Sequence, residues 1–305
     1  MKIIHLIFSL RTGGAENMLI DIINEQVLHA EVTLYIVNDV VNYDILRRLS
    51  EKATVKQLNR MPGSGNPLPL VSLNAYLLRE QCDIIHCHNY NMIDVLLPLF
   101  RKKTILTIHD TIKKRVDFTK YNKCFAISHA VRESVSMYSQ IDSIVIQNGI
   151  AFNAIKSRQA SGKEQGLFRI LQISRLNHLK KGQHTAIRAL SLLKKKGITG
   201  VQLDFIGEGD SAEYLQLLAT ENEVAGQIKF LGLKDRTYVY QQLRQYDLLI
   251  QPSLYEGFGL TVVEAMAAKV PVLVSAIEGP MEIIEHGQYG YFFEKENADD
   301  MAAKI

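Results

Sequence analysis

The chain reads as two doubly wound α/β domains in tandem, and three observations predict this. Its 305 residues favour two domains over one large core. Short apolar runs alternate with longer segments of helical period from end to end. Those runs are nearly continuous Ile, Val and Leu rather than strictly alternating, the mark of strands buried on both faces of a parallel sheet.

In the first half, strands are expected at Lys2–Phe8, Val32–Val37, Asp83–His86, Thr104–Ile108 and Cys124–Ile127. Helical periodicity fills Ala15–His29 and Leu68–Glu80. The pattern lapses around Asn148-Gly149-Ile150, and Asn153–Gly166 is polar with two glycines. A boundary is read there, dividing 1–152 from 153–305. Alternation then restarts. Strands are expected at Phe168–Ile173, Val201–Ile206, Ile228–Leu231, Asp247–Ile250 and Val270–Val274, with helices near 182–196, 211–221, 235–244 and 260–268. A cleft between two such domains is the expected ligand site. The chain stops inside a helical stretch, Ala298–Ile305, and reads as cut short.

Composition excludes some classes. Apolar residues at 47% and charged residues at 22% suit a globular protein with a real core. A net charge of +3 gives no reason to expect nucleic acid. Residues 1–150 hold 17 Lys/Arg against 14 Asp/Glu, with the excess in Arg101–Lys103 and Lys113–Arg115. This patch reads as a solvated face, and it could also rest on anionic headgroups or an acidic acceptor. Cysteines at 82, 87 and 124 supply no disulfide framework and suggest a reducing compartment. The opening apolar run is broken by Arg11, too early for a signal peptide, and no run reaches the length of a membrane span. A cytoplasmic protein is expected, with peripheral contact at the inner membrane face.

The segment Ser253-Leu254-Tyr255-Glu256-Gly257-Phe258-Gly259-Leu260-Thr261 carries the strongest motif. A strand ends, a glycine-punctuated turn follows, and a helix starts at about Leu260, so free N–H groups can bind a phosphate. Gly257 and Gly259 allow close approach of a ligand. Glu264, one turn in, is placed to reach ribose hydroxyls, and Glu256 to reach what lies beyond the phosphates. Spacing alone leaves Glu256 as a turn residue and Glu264 as a solvated one, or the two as a glycosidase acid/base pair. A second strand-to-helix loop, Ser174–Gly182, carries Arg175 and Lys181, cations of the kind a diphosphate leaving group requires.

Together these segments resemble the family 4 retaining glycosyltransferases, whose architecture is two Rossmann-like domains facing a cleft (GT-B). Glu256 and Glu264, with seven residues between them, match the family's E-x7-E element. Arg175 and Lys181 match its Arg/Lys pair in the variant with one extra loop residue. Asn148-Gly149-Ile150 resembles its interdomain crossover, Gly13-Gly14-Ala15-Glu16 its N-terminal glycine loop, and Ser128-His129-Ala130 a recurring piece of its acceptor domain. The likeness runs from residue 1 to about residue 294.

The resemblance implies an acceptor domain followed by a nucleotide-sugar domain. Arg175, Lys181 and the Leu260 and Thr261 N–H groups would bind the diphosphate, with Gly257, Phe258 and Gly259 in the turn. Glu264 would hold the ribose and Glu256 the donor sugar. Gly13 and Gly14 would close on the phosphates from the other domain, and the loop at Gly207 would lie near the base. His109, in Thr107-Ile108-His109-Asp110, matches the cleft histidine that contacts the sugar near the reacting carbon; by position alone it is a lone structural His. The implied reaction is a front-face substitution in cell-surface polysaccharide synthesis, with a glycan or lipid-linked acceptor and no cofactor. No Asp-x-Asp element is present, so cations and helix N–H groups would replace a divalent metal. The resemblance also implies further residues beyond Ile305, with a terminal helix packing across the first domain.

Other signals weigh less. Gly207-Glu208-Gly209-Asp210-Ser211-Ala212 follows a strand in the G-x-G-x-x-A pattern, but the acid expected about 20 residues later is missing, against a dinucleotide enzyme. Cys82, His86, Cys87 and His88 invite zinc, yet on a strand His86 and His88 face one side and Cys87 the other, so no metal site is expected; His88 is read as lining the acceptor side. A non-catalytic binder of nucleotide sugar or of a partner protein, and a sugar-nucleotide epimerase, remain the alternatives.

Overall fold

The computed structural model describes residues 1–158 and 166–305. It divides into two compact units, Met1–Gly149 and Ile150–Ile305, a few residues before the boundary read at 152/153. The middle of the polar linker, 159–165, lies outside the described residues.

The first unit runs β1 (Lys2–Ile7), α1 (Gly14–Gln26), β2 (Glu31–Asn38), α2 (Tyr43–Leu46), β3 (Thr54–Arg60), α3 (Leu68–Glu80), β4 (Ile84–Cys87), β5 (Thr104–Ile108), β6 (Lys123–Ala126), α4 (His129–Ser139) and β7 (Ile144–Val145). Its seven strands are parallel in the order β3-β2-β1-β4-β5-β6-β7. The order reverses between β1 and β4, the switch point where doubly wound sheets place ligands. Strand β2 is buried at every position but its first, as the unbroken apolar run predicts. Ile7, Leu19, Ile20, Ile23, Leu34 and Ile36 form one core between sheet and α1, each fully buried side chain contributing about 1.5–3 kcal/mol.

The second unit continues β8 (Phe168–Ile173), α5 (His178–Lys181), α6 (Gln183–Lys195), β9 (Val201–Ile206), α7 (Ala212–Glu221), β10 (Ile228–Phe230), α8 (Arg236–Gln242), β11 (Leu248–Gln251), α9 (Leu260–Ala267), β12 (Val272–Ser275), α10 (Glu278–Ile283), β13 (Tyr291–Phe293) and α11 (Ala298–Lys304). The sheet order is β10-β9-β8-β11-β12-β13, again parallel, with the switch between β8 and β11. Separate cores cover its two faces, one built on α6, α7 and α11, the other on α8 and α9.

Caps set several helix starts. Ser128 Oγ accepts the Val131 N–H at 3.1 Å, Asn177 Oδ1 the Lys180 N–H at 3.1 Å, Asp235 Oδ1 the Tyr238 N–H at 2.7 Å, and Asn297 Oδ1 the Asp300 N–H at 3.0 Å. One expected helix is corrected: 15–29 stops at Gln26. The helix expected near 182–196 is α6, and the short α5 precedes it, the two meeting at Gly182 in the left-handed conformation. Three strands escaped the sequence reading: β3, β7 and β13. All three are sheet edges. β3 is mainly polar, as a less covered edge allows, and β7 and β13 are apolar but only two and three residues long, too short to stand out as runs.

Candidate functional site

In the second unit, the loops leaving β8 and β11 are tied together. Leu254 N–H donates to Lys180 C=O at 2.9 Å. A Cβ on Gly182 would stand 1.7 Å from the Pro252 carbonyl oxygen, so only glycine lets the two backbones approach this closely. Across that contact Lys181 Nζ donates to Glu256 Oε2, each side chain 18% exposed. Gln251 Nε2 donates to the same oxygen at 3.2 Å, and Gln172 Nε2 holds the Lys181 carbonyl at 2.9 Å. Gln251 and Gln172 therefore brace the pair, with Gln172 Oε1, Gln251 Oε1 and Ser253 Oγ buried without partners among the described residues.

Lys181 closes α5 rather than lying in an open loop, and Glu256 is salt-bridged rather than idle in a turn. Arg175 is exposed on the same β8 loop, its carbonyl fixed by Gln183 Nε2 at 2.9 Å. Gly207, after β9, abuts this loop so closely that a Cβ would lie 2.0 Å from Ser174 C=O. Gly257, Phe258 and Gly259 are buried in the turn. Gly259, at φ 120°, caps α9 with no side chain, leaving Leu260 and Thr261 at an open helix start. Glu264 is not solvated: it is 9% exposed, accepts from Tyr240 Oη at 3.1 Å, and has Arg236 Nε at 3.8 Å. Burial first, then the Glu264 charge, pushes the Tyr240 phenol far up.

Sequence reading missed Gln172, Gln251, Arg236 and Tyr240. The two glutamines had a visible signal: each is a polar residue near the carboxyl end of a largely apolar strand. Arg236 and Tyr240 had none.

The first unit carries its own polar cluster at its switch point. His5 on β1 pairs in register with His86 on β4; His88 follows β4 and His109 follows β5. His5 Nδ1 lies 3.0 Å from His88 Nε2, and His88 Nδ1 3.1 Å from His109 Nε2. His5 Nε2 lies 2.7 Å from Gln26 Oε1, and His86 Nε2 2.7 Å from Thr107 Oγ1. Burial lowers all four, His5 and His109 to about 4 and His86 and His88 well below the usual value, where neighbouring imidazoles add to it. His109 is thus not a lone histidine, and His88 is buried within the cluster. Cys87 lies apart, and burial pushes its thiol up. Gly13 caps α1 with extended backbone, its carbonyl accepting from Asn17 Nδ2 at 2.8 Å, and Gly14 is the first helical residue.

This chain belongs to the glycosyl transferases group 1 family, whose model matches residues 153–305; the Glycosyltransferase Family 4 model matches residues 12–153. It is 28% identical to an uncharacterized glycosyltransferase of Methanocaldococcus jannaschii, over 73% of this chain and 65% of that protein. It is 32% identical to the amylovoran biosynthesis glycosyltransferase AmsK of Erwinia amylovora, over 44% of this chain and 34% of that protein. It therefore spans less than two thirds of either relative. The crystal structure of Anabaena HepE in complex with UDP and glucose shares the fold, with TM-score 0.81 and 22% identity over 100% of this chain and 88% of that one.

Proposed function

We propose that this chain transfers a sugar, with retention and without a metal, from a nucleotide diphosphate sugar to a glycan or lipid-linked acceptor in cell-surface polysaccharide synthesis. The observation that carries this reading is the locked Lys181–Glu256 pair at the β8/β11 switch point, beside the open start of α9. A cation, a carboxylate and free N–H groups at one strand end suit a sugar diphosphate: Lys181, Arg175 and the Leu260 and Thr261 N–H groups take the phosphates, Glu256 the sugar hydroxyls. Glu264, held by Tyr240 and Arg236, takes the ribose. The UDP and glucose bound by the Anabaena neighbour support the donor class, and the Erwinia relative's name supports polysaccharide synthesis.

In the reaction, the bond from the anomeric carbon to the diphosphate oxygen breaks as the acceptor oxygen bonds on the same face. The departing phosphate oxygen takes the acceptor's proton, and the cations stabilise the charge left behind. Gly13 and Gly14 contribute to the phosphate side, the Gly207 loop to the base, and His109 to the sugar. Arg101–Lys103 and Lys113–Arg115, exposed in the first unit, suit an anionic membrane surface; no helix among the described residues is long and apolar enough to cross a membrane.

The test is thermal stability against UDP-, GDP- and ADP-linked sugars with EDTA throughout. A shift with one nucleotide class, lost in Glu264→Ala, is expected. No shift with any of them would sink the donor site as drawn.

A further inference from the structure

The histidine cluster of the first unit contains a directed line. Gln26, the last residue of α1, offers Oε1 to His5 Nε2; His5 Nδ1 meets His88 Nε2; His88 Nδ1 meets His109 Nε2. The line ends at His109 Nδ1, a buried nitrogen without a partner among the described residues.

Each link has one direction open. A neutral imidazole carries one N–H and one lone pair, and an amide oxygen only accepts. His5 must therefore hold its proton on Nε2, which leaves Nδ1 as an acceptor. His88 must then donate from Nε2 and accept at Nδ1, and His109 must donate from Nε2. We propose that Gln26, His5 and His88 are positioning residues that fix the tautomer of His109, so that its Nδ1 presents a lone pair to a sugar hydroxyl. The hydroxyl as target rests on the glycosyltransferase reading above; the tautomer does not. Burial keeps the rings neutral, the state in which such a line is defined. His86 stands outside the line, bonded to Thr107, with its ring 4.4 Å from that of His88 and 4.9 Å from that of His5. It packs the line in place.

The same cluster has the spacing of a metal site, since one ring nitrogen from each of His5, His86 and His88 lies within 4.8 Å of the others. The bond at 3.0 Å between His5 and His88 favours the relay: these two nitrogens already share a proton, which an ion would have to displace.

The experiment is long-range nitrogen–proton NMR of the full chain labelled with nitrogen-15 histidine, at neutral pH. His109 should show a bare Nδ1 and a protonated Nε2, and should do so again in Gln26→Glu, which keeps an acceptor at the head of the line. In Gln26→Met the two tautomers should mix. Protonation of His109 at Nδ1 in the unaltered chain would overturn the proposal, as would an unchanged tautomer in Gln26→Met. So would one equivalent of zinc binding tightly and removing the proton between His5 and His88. Transfer kinetics separate the two readings: kcat should fall roughly tenfold in Gln26→Met and recover in Gln26→Glu. Mixed tautomers with unchanged kcat would leave the relay standing and remove His109 from the sugar.

Discussion

Lys181 and Glu256 show how much a single pair can depend on distance in the chain. Each was legible in its own loop, but their bond spans 75 positions, and neither loop names the other. Glu256 shares its cation with whatever anion binds, so Lys181 has two tasks: neutralising a diphosphate and keeping a mostly buried carboxylate paired. Lys181→Ala should therefore weaken donor binding and lower turnover about a hundred- to a thousand-fold. Initial rates together with donor calorimetry check this. If both survive the substitution, the phosphate site lies elsewhere. The same limit hid the histidine cluster. His86 and His88 are neighbours on one strand, whereas His5 comes more than 80 positions earlier and becomes a partner only through β1–β4 pairing.

Among the elements, the central strands were the easiest to read and the edges the hardest. β2, β11 and β12 are buried along nearly their whole length, and burial on both faces forces an apolar run. β3 is polar at five of its seven positions by sequence, Thr54-Val55-Lys56-Gln57-Leu58-Asn59-Arg60 offering only Val55 and Leu58 as apolar residues, so pairing with β2 alone makes it a strand. The break between α5 and α6 is likewise a tertiary matter. Gly182 sits at φ 66° with the Pro252 carbonyl where a Cβ would be. Gly182→Ala should cost roughly 2–4 kcal/mol and loosen the Lys181–Glu256 contact. A urea midpoint that stays at the wild-type value would contradict so tight a packing.

At the scale of the whole molecule, the two units carry different titratable loads. The first buries His5, His86 and His88 and half-buries His109, with His5 and His109 lowered to about 4 from the ordinary 6.5; in the second, burial lowers His184. Unfolded histidine binds a proton below about pH 6.5, whereas His5 and His109 do so only near pH 4 and burial holds His86 and His88 well below the usual value. Across that window the unfolded state holds more protons, so stability is lost as pH falls, about 3 kcal/mol for His5 alone. Glu80 adds to this loss only below about pH 4.5: burial would raise it, but hydrogen bonds from Lys56, Tyr35 and Lys2 outweigh that and hold it near 2, so the unfolded carboxyl takes up its proton first. Hydrogen exchange followed by mass spectrometry from pH 7 to pH 4 should show the first unit opening before the second. Simultaneous opening would mean that the cluster is not the weak point.

What the sequence determined by itself was everything that rests on near neighbours: the two α/β units, the parallel central strands, the glycine turn before α9 and the spacing of Glu256 and Glu264. Burial on both faces and free N–H groups at a helix start leave marks within a few residues of one another. What only the tertiary structure decided was who meets whom. It joined Lys181 to Glu256, gave Glu264 to Tyr240 and Arg236, and lined up Gln26, His5, His88 and His109. The physical reason is that parallel strands pair through crossovers, so residues brought to one strand end come from distant parts of the chain.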